Sequence, residues 1–64
     1  MSIKVFALDK DGYELNTPFH EGEESMKSAR LEAARLLRDD ELKAVGLYKV
    51  EIRDGTQVLK DYFV

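Results

Sequence analysis

The sequence contains no cysteine, and this absence excludes disulfide bonds and thiolate metal sites. A chain without cysteine is compatible with a reducing compartment, and we expect a cytoplasmic protein. No apolar run approaches the roughly 20 residues that a membrane-spanning helix needs. The first residues, MSIKVFALDKD, also lack the long apolar core of a signal peptide. We therefore expect no association with a membrane.

Residues that carry catalytic chemistry are scarce. His20 is the only histidine, and the sequence HEGEE that it begins is not the HExxH pattern of zinc enzymes. No serine lies in a GxSxG motif. The glycines are too widely spaced to form a phosphate-binding loop; they are Gly12, Gly22, Gly46 and Gly55. We therefore predict that the chain is not an enzyme and has no cofactor and no resident metal ion.

The composition that remains is that of a small folded domain. The chain has 64 residues, of which 44% are hydrophobic and 36% charged, and we expect residues 1–64 to form a single domain. A domain of this size buries only about 60% of its unfolded surface and often depends on oligomerisation for stability. The net charge of −3 provides no general attraction to nucleic acid.

Alternation of apolar and polar residues predicts four strands, at residues 2–8, 13–17, 47–52 and 57–64. A period of 3.6 from Gly22 to about Arg38 predicts one helix. Its apolar side comprises Met26, Ala29, Ala33, Leu36 and Leu37. Asp40 interrupts this side, so we expect the helix to end near it, before a short helical turn that Gly46 closes. The fold class is α+β: one helix packed on a four-stranded, mostly antiparallel sheet, in the order strand-strand-helix-strand-strand.

The sequence DKDG at residues 9–12 resembles the start of a calcium-binding loop. A helix-loop-helix calcium site needs ligands at positions 5 and 12 and glycine at position 6, and Tyr13, His20 and Glu14 fail these requirements. Asp9 and Gly12 instead suit the first and fourth positions of a type I turn. An even number of loop residues would place Tyr13 and Leu15 on the sheet face of Phe6 and Leu8. We favour that register because it groups four large apolar side chains.

Four residues recur along the helix side opposite its apolar residues: Lys27, Leu31, Arg35 and Arg38, here called the helix stripe. An apolar residue among cations could bind a partner protein, with arginine supplying directional contacts. A solvated helix face is the alternative, because Glu32 precedes Arg35 by three residues and can form an ion pair with it. The helix stripe is the candidate partner-binding site.

The leading function hypothesis is a small non-enzymatic protein-interaction module that binds a partner protein. Self-association as a homodimer is an open alternative, because the sheet face away from the helix would carry apolar residues, with Leu59 or Phe63 among their neighbours. A second hypothesis is a nucleic-acid-binding accessory protein that uses the basic helix stripe. A third is an inhibitor of a larger host enzyme, of the kind carried by phages or mobile elements.

Overall fold

The computed structural model describes residues 3–15 and 25–64. In chain order these residues form strand β1 (Ile3–Leu8), helix α1 (Met26–Leu37), helix α2 (Asp40–Ala44), strand β2 (Lys49–Asp54) and strand β3 (Gln57–Phe63). The strands form one antiparallel sheet in the order β1-β2-β3, with β2 in the centre. The α+β class is confirmed. Neither helix within the described ranges is long and apolar enough to cross a membrane.

The predicted four strands and their order are wrong for the part of the chain that the structure describes. It contains three strands, and the helices lie between β1 and β2. The expected second strand contributes one isolated bridge, between Leu8 and Glu14, and a hydrogen bond of 2.7 Å from the Leu15 N–H to the Ala7 carbonyl. The rest of that segment, residues 16 and 17, lies outside the described residues.

The loop after β1 explains the short pairing. The Asp9 carboxylate accepts hydrogen bonds from the N–H groups of Asp11 and Tyr13, both at 2.9 Å. The Gly12 N–H donates to the Asp9 carbonyl at 3.1 Å, which confirms the turn interpretation of DKDG. Because these bonds hold the backbone through Tyr13 in the loop, Tyr13 is not available to a strand.

The predicted even loop is wrong, and the consequence is a change of face. The bridge between Leu8 and Glu14 leaves a loop from Asp9 to Tyr13, an odd number of residues. Leu15 therefore lies opposite Ala7 and packs against the core on the helix side of the sheet. Phe6 and Leu8 point to the other side.

The helices follow the sequence pattern closely. Ser25 caps α1: its side chain accepts a hydrogen bond from the Ser28 N–H, and Ser28 Oγ accepts one from the Ser25 N–H. Residues 22–24, where the sequence predicted the helix to begin, lie outside the described residues. The predicted interruption at Asp40 is confirmed, because Asp39 caps a separate short helix there. Gly46 follows that helix with φ 102°, a conformation that glycine adopts without the steric cost of a Cβ.

The core lies between α1 and the sheet. Ala29, Ala33 and Leu36 of α1 are buried, with Met26 and Leu37 at the margin, as the helical period predicted. Small alanines let α1 approach the sheet closely, and α1 packs mainly on β1 and β2. The core residues of the sheet are Ile3, Val5, Ala7, Val50 and Ile52.

The helix covers only part of the β2–β3 hairpin, because α1 packs on β2 and makes few contacts with β3. Its two-residue turn begins at Gly55 with φ 62°, a positive value that the first central position of a type II′ turn requires. A bulge near Arg53 interrupts the register between β2 and β3. Most of β3 is exposed, and only Tyr62 is partly buried against the core. The contacts of β3 therefore come mainly from its pairing with β2.

Candidate functional site

The helix stripe lies on the exposed side of α1, as predicted, with Arg38 at the C-cap just after the helix. Lys27, Leu31, Arg35 and Arg38 are all exposed, and 66% of the Leu31 surface is accessible to solvent. Two of the three cations have local partners. Arg35 forms an ion pair with Glu32, to which its Nε donates at 3.1 Å, and Arg38 Nε donates to the Ala34 carbonyl at 3.3 Å.

The hydrogen bond and the charge of Glu32 raise the pKa of Arg35 above its ordinary value. The guanidinium is charged at any physiological pH in either case. The pair therefore has a different consequence: a ligand for Arg35 would have to compete with Glu32.

The sheet has a second face, directed away from α1, which we call the far face. Cross-strand partners in the register share a face, so the far face holds Lys4, Phe6, Leu8, Lys49, Glu51, Arg53, Val58, Asp61 and Phe63. Glu51 lies at its centre, between Phe6 of β1 and Asp61 of β3. It is only 6% exposed, which is unusual for a carboxylate.

Two cations flank Glu51 along β2. Lys49 Nζ lies 2.7 Å from Glu51 Oε2, and Arg53 Nη2 lies 2.6 Å from Oε1, which also accepts from Arg53 Nε at 2.7 Å. Burial alone would raise the pKa of Glu51, but the hydrogen bonds and charges of Lys49 and Arg53 outweigh burial and lower it. The bond to Glu51 raises the pKa of Lys49. Glu51 is therefore held ionised and is a poor proton donor, which suits a structural role better than acid catalysis.

Aromatic rings accompany both cations. The Arg53 guanidinium lies over the Phe6 ring at 4.3 Å from its centroid, and Lys49 Nζ lies 5.7 Å from the centroid of Phe63. Tyr48 meets Phe63 edge to face, with the ring centroids 5.5 Å apart. Glu51 thus fixes two cations, and each cation is placed against an aromatic ring.

Phe63 and its neighbours form a group that we call the aromatic patch. It comprises the exposed residues Tyr48, Phe63 and Val64 and the partly buried Lys49. The Val64 N–H donates to the Tyr48 carbonyl at 3.0 Å, so the residue after β3 is bonded to the residue before β2. The exposed fractions of Tyr48, Phe63 and Val64 are 47%, 60% and 65%. Neighbouring large apolar groups with this exposure mark an interaction surface more often than scattered ones do.

Beside Tyr48 lies an open groove of about 420 Å³. It is lined by the loop residues Asp9, Lys10 and Asp11 and by residues 45–48. Asp9 is engaged by the loop backbone, as described above. No group of three or more His, Asp or Glu residues within the described ranges could hold a metal ion. His20 lies outside those ranges.

The far-face network and most of the aromatic patch were not predicted from the sequence. A signal was present in KVEIRD, residues 49–54. Charged residues of alternating sign at positions 49, 51 and 53 are separated by the apolar residues Val50 and Ile52. In a strand this spacing places Lys49, Glu51 and Arg53 on one face. The partial burial of that face and the contact of Arg53 with Phe6 depend on cross-strand register, which one strand does not reveal.

Comparison of the chain with protein-family models, with curated proteins and with solved structures gives no match.

Proposed function

We propose that this chain is a small protein-binding module that acts by docking a partner protein and performs no catalysis. The single observation that supports this function best is the aromatic patch. Its exposed rings and aliphatic group lie next to Lys49 at the open end of the hairpin, where β2 begins and β3 ends. Binding hot spots in protein interfaces are rich in Tyr, Trp and Arg, and the patch contains Tyr48.

The patch is organised before any partner binds. Glu51 restricts the rotamers of Lys49 and Arg53, and Tyr48 and Phe63 restrict each other. Immobilising a flexible side chain on binding costs about 0.5–1.5 kcal/mol, so side chains that are already held lose less entropy. Covering an exposed apolar surface of this kind with a partner removes it from water and makes the free energy of binding more favourable.

The helix stripe is the second candidate surface for the same function. Leu31 is its exposed apolar residue, with Lys27 before it and the two arginines after it. The ion pair with Glu32 reduces the contribution that Arg35 could make to the binding free energy, because a partner would have to replace that pair. We therefore rank the aromatic patch first and keep the helix stripe as the alternative.

Affinity purification from the native source, followed by mass spectrometry, would identify the partner. Three baits are compared: the wild type, the patch variant Tyr48→Ala/Phe63→Ala, and the stripe variant Leu31→Ala/Arg35→Ala/Arg38→Ala. Circular dichroism checks that each variant is folded. We expect the patch variant to lose the partner and the stripe variant to keep it.

The opposite result would transfer the binding site to the helix stripe. Retention of every captured protein by both variants would contradict docking through either surface. The purified partner is then titrated against each variant. A loss of at least tenfold in affinity, about 1.4 kcal/mol, is the threshold for assigning a surface.

The other hypotheses remain predictions. A gel-shift series at low salt tests nucleic-acid binding, since phosphate contacts are strongest there. If the captured partner is an enzyme, an assay of its activity with and without the chain tests the hypothesis that the chain inhibits a host enzyme. Fractionation of the native source tests the cytoplasmic location.

A further inference from the structure

Strand β3 forms an edge of the sheet as described, since β2 is its neighbour on one side only. The Val64 N–H donates to Tyr48, so the backbone of Val64 faces β2. In an antiparallel strand, alternate residues direct their N–H and C=O groups to opposite sides. Lys60 and Tyr62 therefore also face β2, whereas Asp61 and Phe63 direct their backbone groups outward. These outward groups are available to another strand.

We infer that this edge pairs with the same edge of a second copy of the chain, antiparallel about a two-fold axis at Tyr62. The inference rests on the proposed function, because it names a second copy as a partner for the hairpin that carries the aromatic patch. The product is a continuous sheet across two protomers. Each outward residue finds an outward partner: Asp61 pairs with Phe63 of the second copy, and Phe63 with its Asp61.

Charge favours the register with its axis at Tyr62 over the neighbouring register with its axis at Asp61. If the axis lay at Asp61, the two Asp61 carboxylates would be directly opposite each other, and like charges in that position are destabilising. With the axis at Tyr62, Phe63 lies between Lys49 of its own protomer and Asp61 of the second copy. Lys49 Nζ is bound to Glu51 and lies 5.7 Å from the centroid of the Phe63 ring, so the incoming carboxylate would approach a ring that already has a cation beside it.

The packing of β3 permits this approach. Helix α1 packs mainly on β1 and β2, and both faces of β3 are largely exposed. The two Phe63 side chains would be diagonal neighbours, about 7–8 Å apart at the backbone, which aromatic rings can span. Pairing would thus cover Phe63 and Val64, two of the most exposed apolar residues of the described chain.

Cysteine cross-linking tests the register directly. Because the chain has no cysteine, a single introduced thiol can form only an intermolecular disulfide with another copy. The register places Lys60 opposite Val64 of the second copy as a non-hydrogen-bonded pair, with Cα atoms about 4.5 Å apart, which suits a disulfide. Under mild oxidation, an equimolar mixture of Lys60→Cys and Val64→Cys should give at least fivefold more mixed dimer than either homodimer. Intact-mass measurement separates the three products.

Leu31→Cys is the matched control, since this exposed position lies on the helix and should cross-link only by random collision. Cross-linking of Leu31→Cys at the rate of the mixture would overturn the inference. An axis at Asp61 would instead place Lys60 opposite Tyr62 of the second copy. More mixed dimer from Lys60→Cys with Tyr62→Cys than from Lys60→Cys with Val64→Cys would therefore overturn the register, and Asp61 keeps its charge in both mixtures.

Sedimentation of the wild type supplies a measurement that needs no variant. We expect the average mass to rise toward that of a dimer with concentration, and a monomer at all concentrations into the millimolar range would overturn the inference. Asp61→Pro removes an outward N–H and leaves the ladder with β2 intact, so it should be folded and monomeric. A monomeric wild type that still captures a different partner through the aromatic patch would refute the dimer and leave the proposed function standing.

Discussion

The exposed side of α1 and the far face of the sheet both pair arginine with glutamate, yet the two pairs differ in burial. On α1, Arg35 and Glu32 have side chains that are 61% and 31% exposed. On the sheet, the Glu51 side chain is 8% exposed and serves two cations, Lys49 and Arg53, that are themselves largely covered. An exposed pair is screened by water, whereas a buried carboxylate needs its partners in order to remain ionised.

The comparison shows how the same residue types can have different roles. On the helix, the pair forms between residues three apart and involves no other element. On the sheet, the network fixes two cations against rings contributed by β1 and β3, so it connects all three strands. We expect the network to contribute to the stability of the fold, and the helix pair to contribute very little.

The largest effect should follow from Glu51→Gln. This change keeps the side-chain shape but removes the charge that satisfies Lys49 and Arg53. We expect the free energy of unfolding to fall by about 1–3 kcal/mol. This loss is smaller than that for a fully buried ion pair, because both cations keep some contact with water. Urea denaturation measures the change.

The matched control is Glu14→Gln, which makes the same change at an exposed carboxylate and should change stability by less than about 0.5 kcal/mol. Equal losses in the two variants would show that burial of Glu51 does not distinguish the far face from an ordinary charged surface.

The second effect is a dependence of stability on pH. The folded-state pKa of Glu51 is lower than its ordinary value. Its contribution is therefore complete above the unfolded pKa of about 4.3 and is lost as the pH falls through the lower folded value. Denaturation at about pH 6 and about pH 3 should show a loss in the wild type that is smaller in Glu51→Gln. An equal loss in both proteins would assign the acid sensitivity to other carboxylates.

These differences could be predicted only in part from the sequence. Helical period is local, so the buried side of α1, its end before Asp40 and the turn at Gly46 all followed from residues a few positions apart. The sheet face of Leu15 was mispredicted because it depends on whether the number of loop residues is even or odd. Asp9 binds two backbone N–H groups and lengthens the loop to an odd number, which reverses the side that Leu15 occupies.

The candidate sites divide in the same way. The helix stripe was predictable because its spacing lies within one helix, and the structure places all four residues on the exposed side. The aromatic patch joins Tyr48 to Phe63, which are brought together by the register of two strands. Sequence alternation indicates which residues share a face of one strand but does not fix which residues of another strand lie opposite.

A smaller effect, about 1 kcal/mol, should follow from Ser25→Ala. The substitution removes the acceptor for the Ser28 N–H at the start of α1. Chemical denaturation measures the loss, and Ser25→Asp should recover most of it because aspartate also caps helices. If Ser25→Ala has no effect, the presentation of the helix stripe does not depend on this cap.

The smallest effect should follow from Glu32→Ala, about 0.2–0.5 kcal/mol in denaturation, because the pair with Arg35 is exposed and local. Its effect on binding distinguishes the two surfaces more sharply. Removing Glu32 frees the Arg35 guanidinium, so a partner that docks on the helix stripe through an acidic group should bind more tightly to the variant. A partner that docks on the aromatic patch should bind both proteins equally, since Glu32 lies on α1, which packs mainly on β1 and β2 and not on the strand that carries Phe63. A titration of the purified partner against wild type and Glu32→Ala therefore tells which of the two surfaces is used, without disturbing the core or the far-face network.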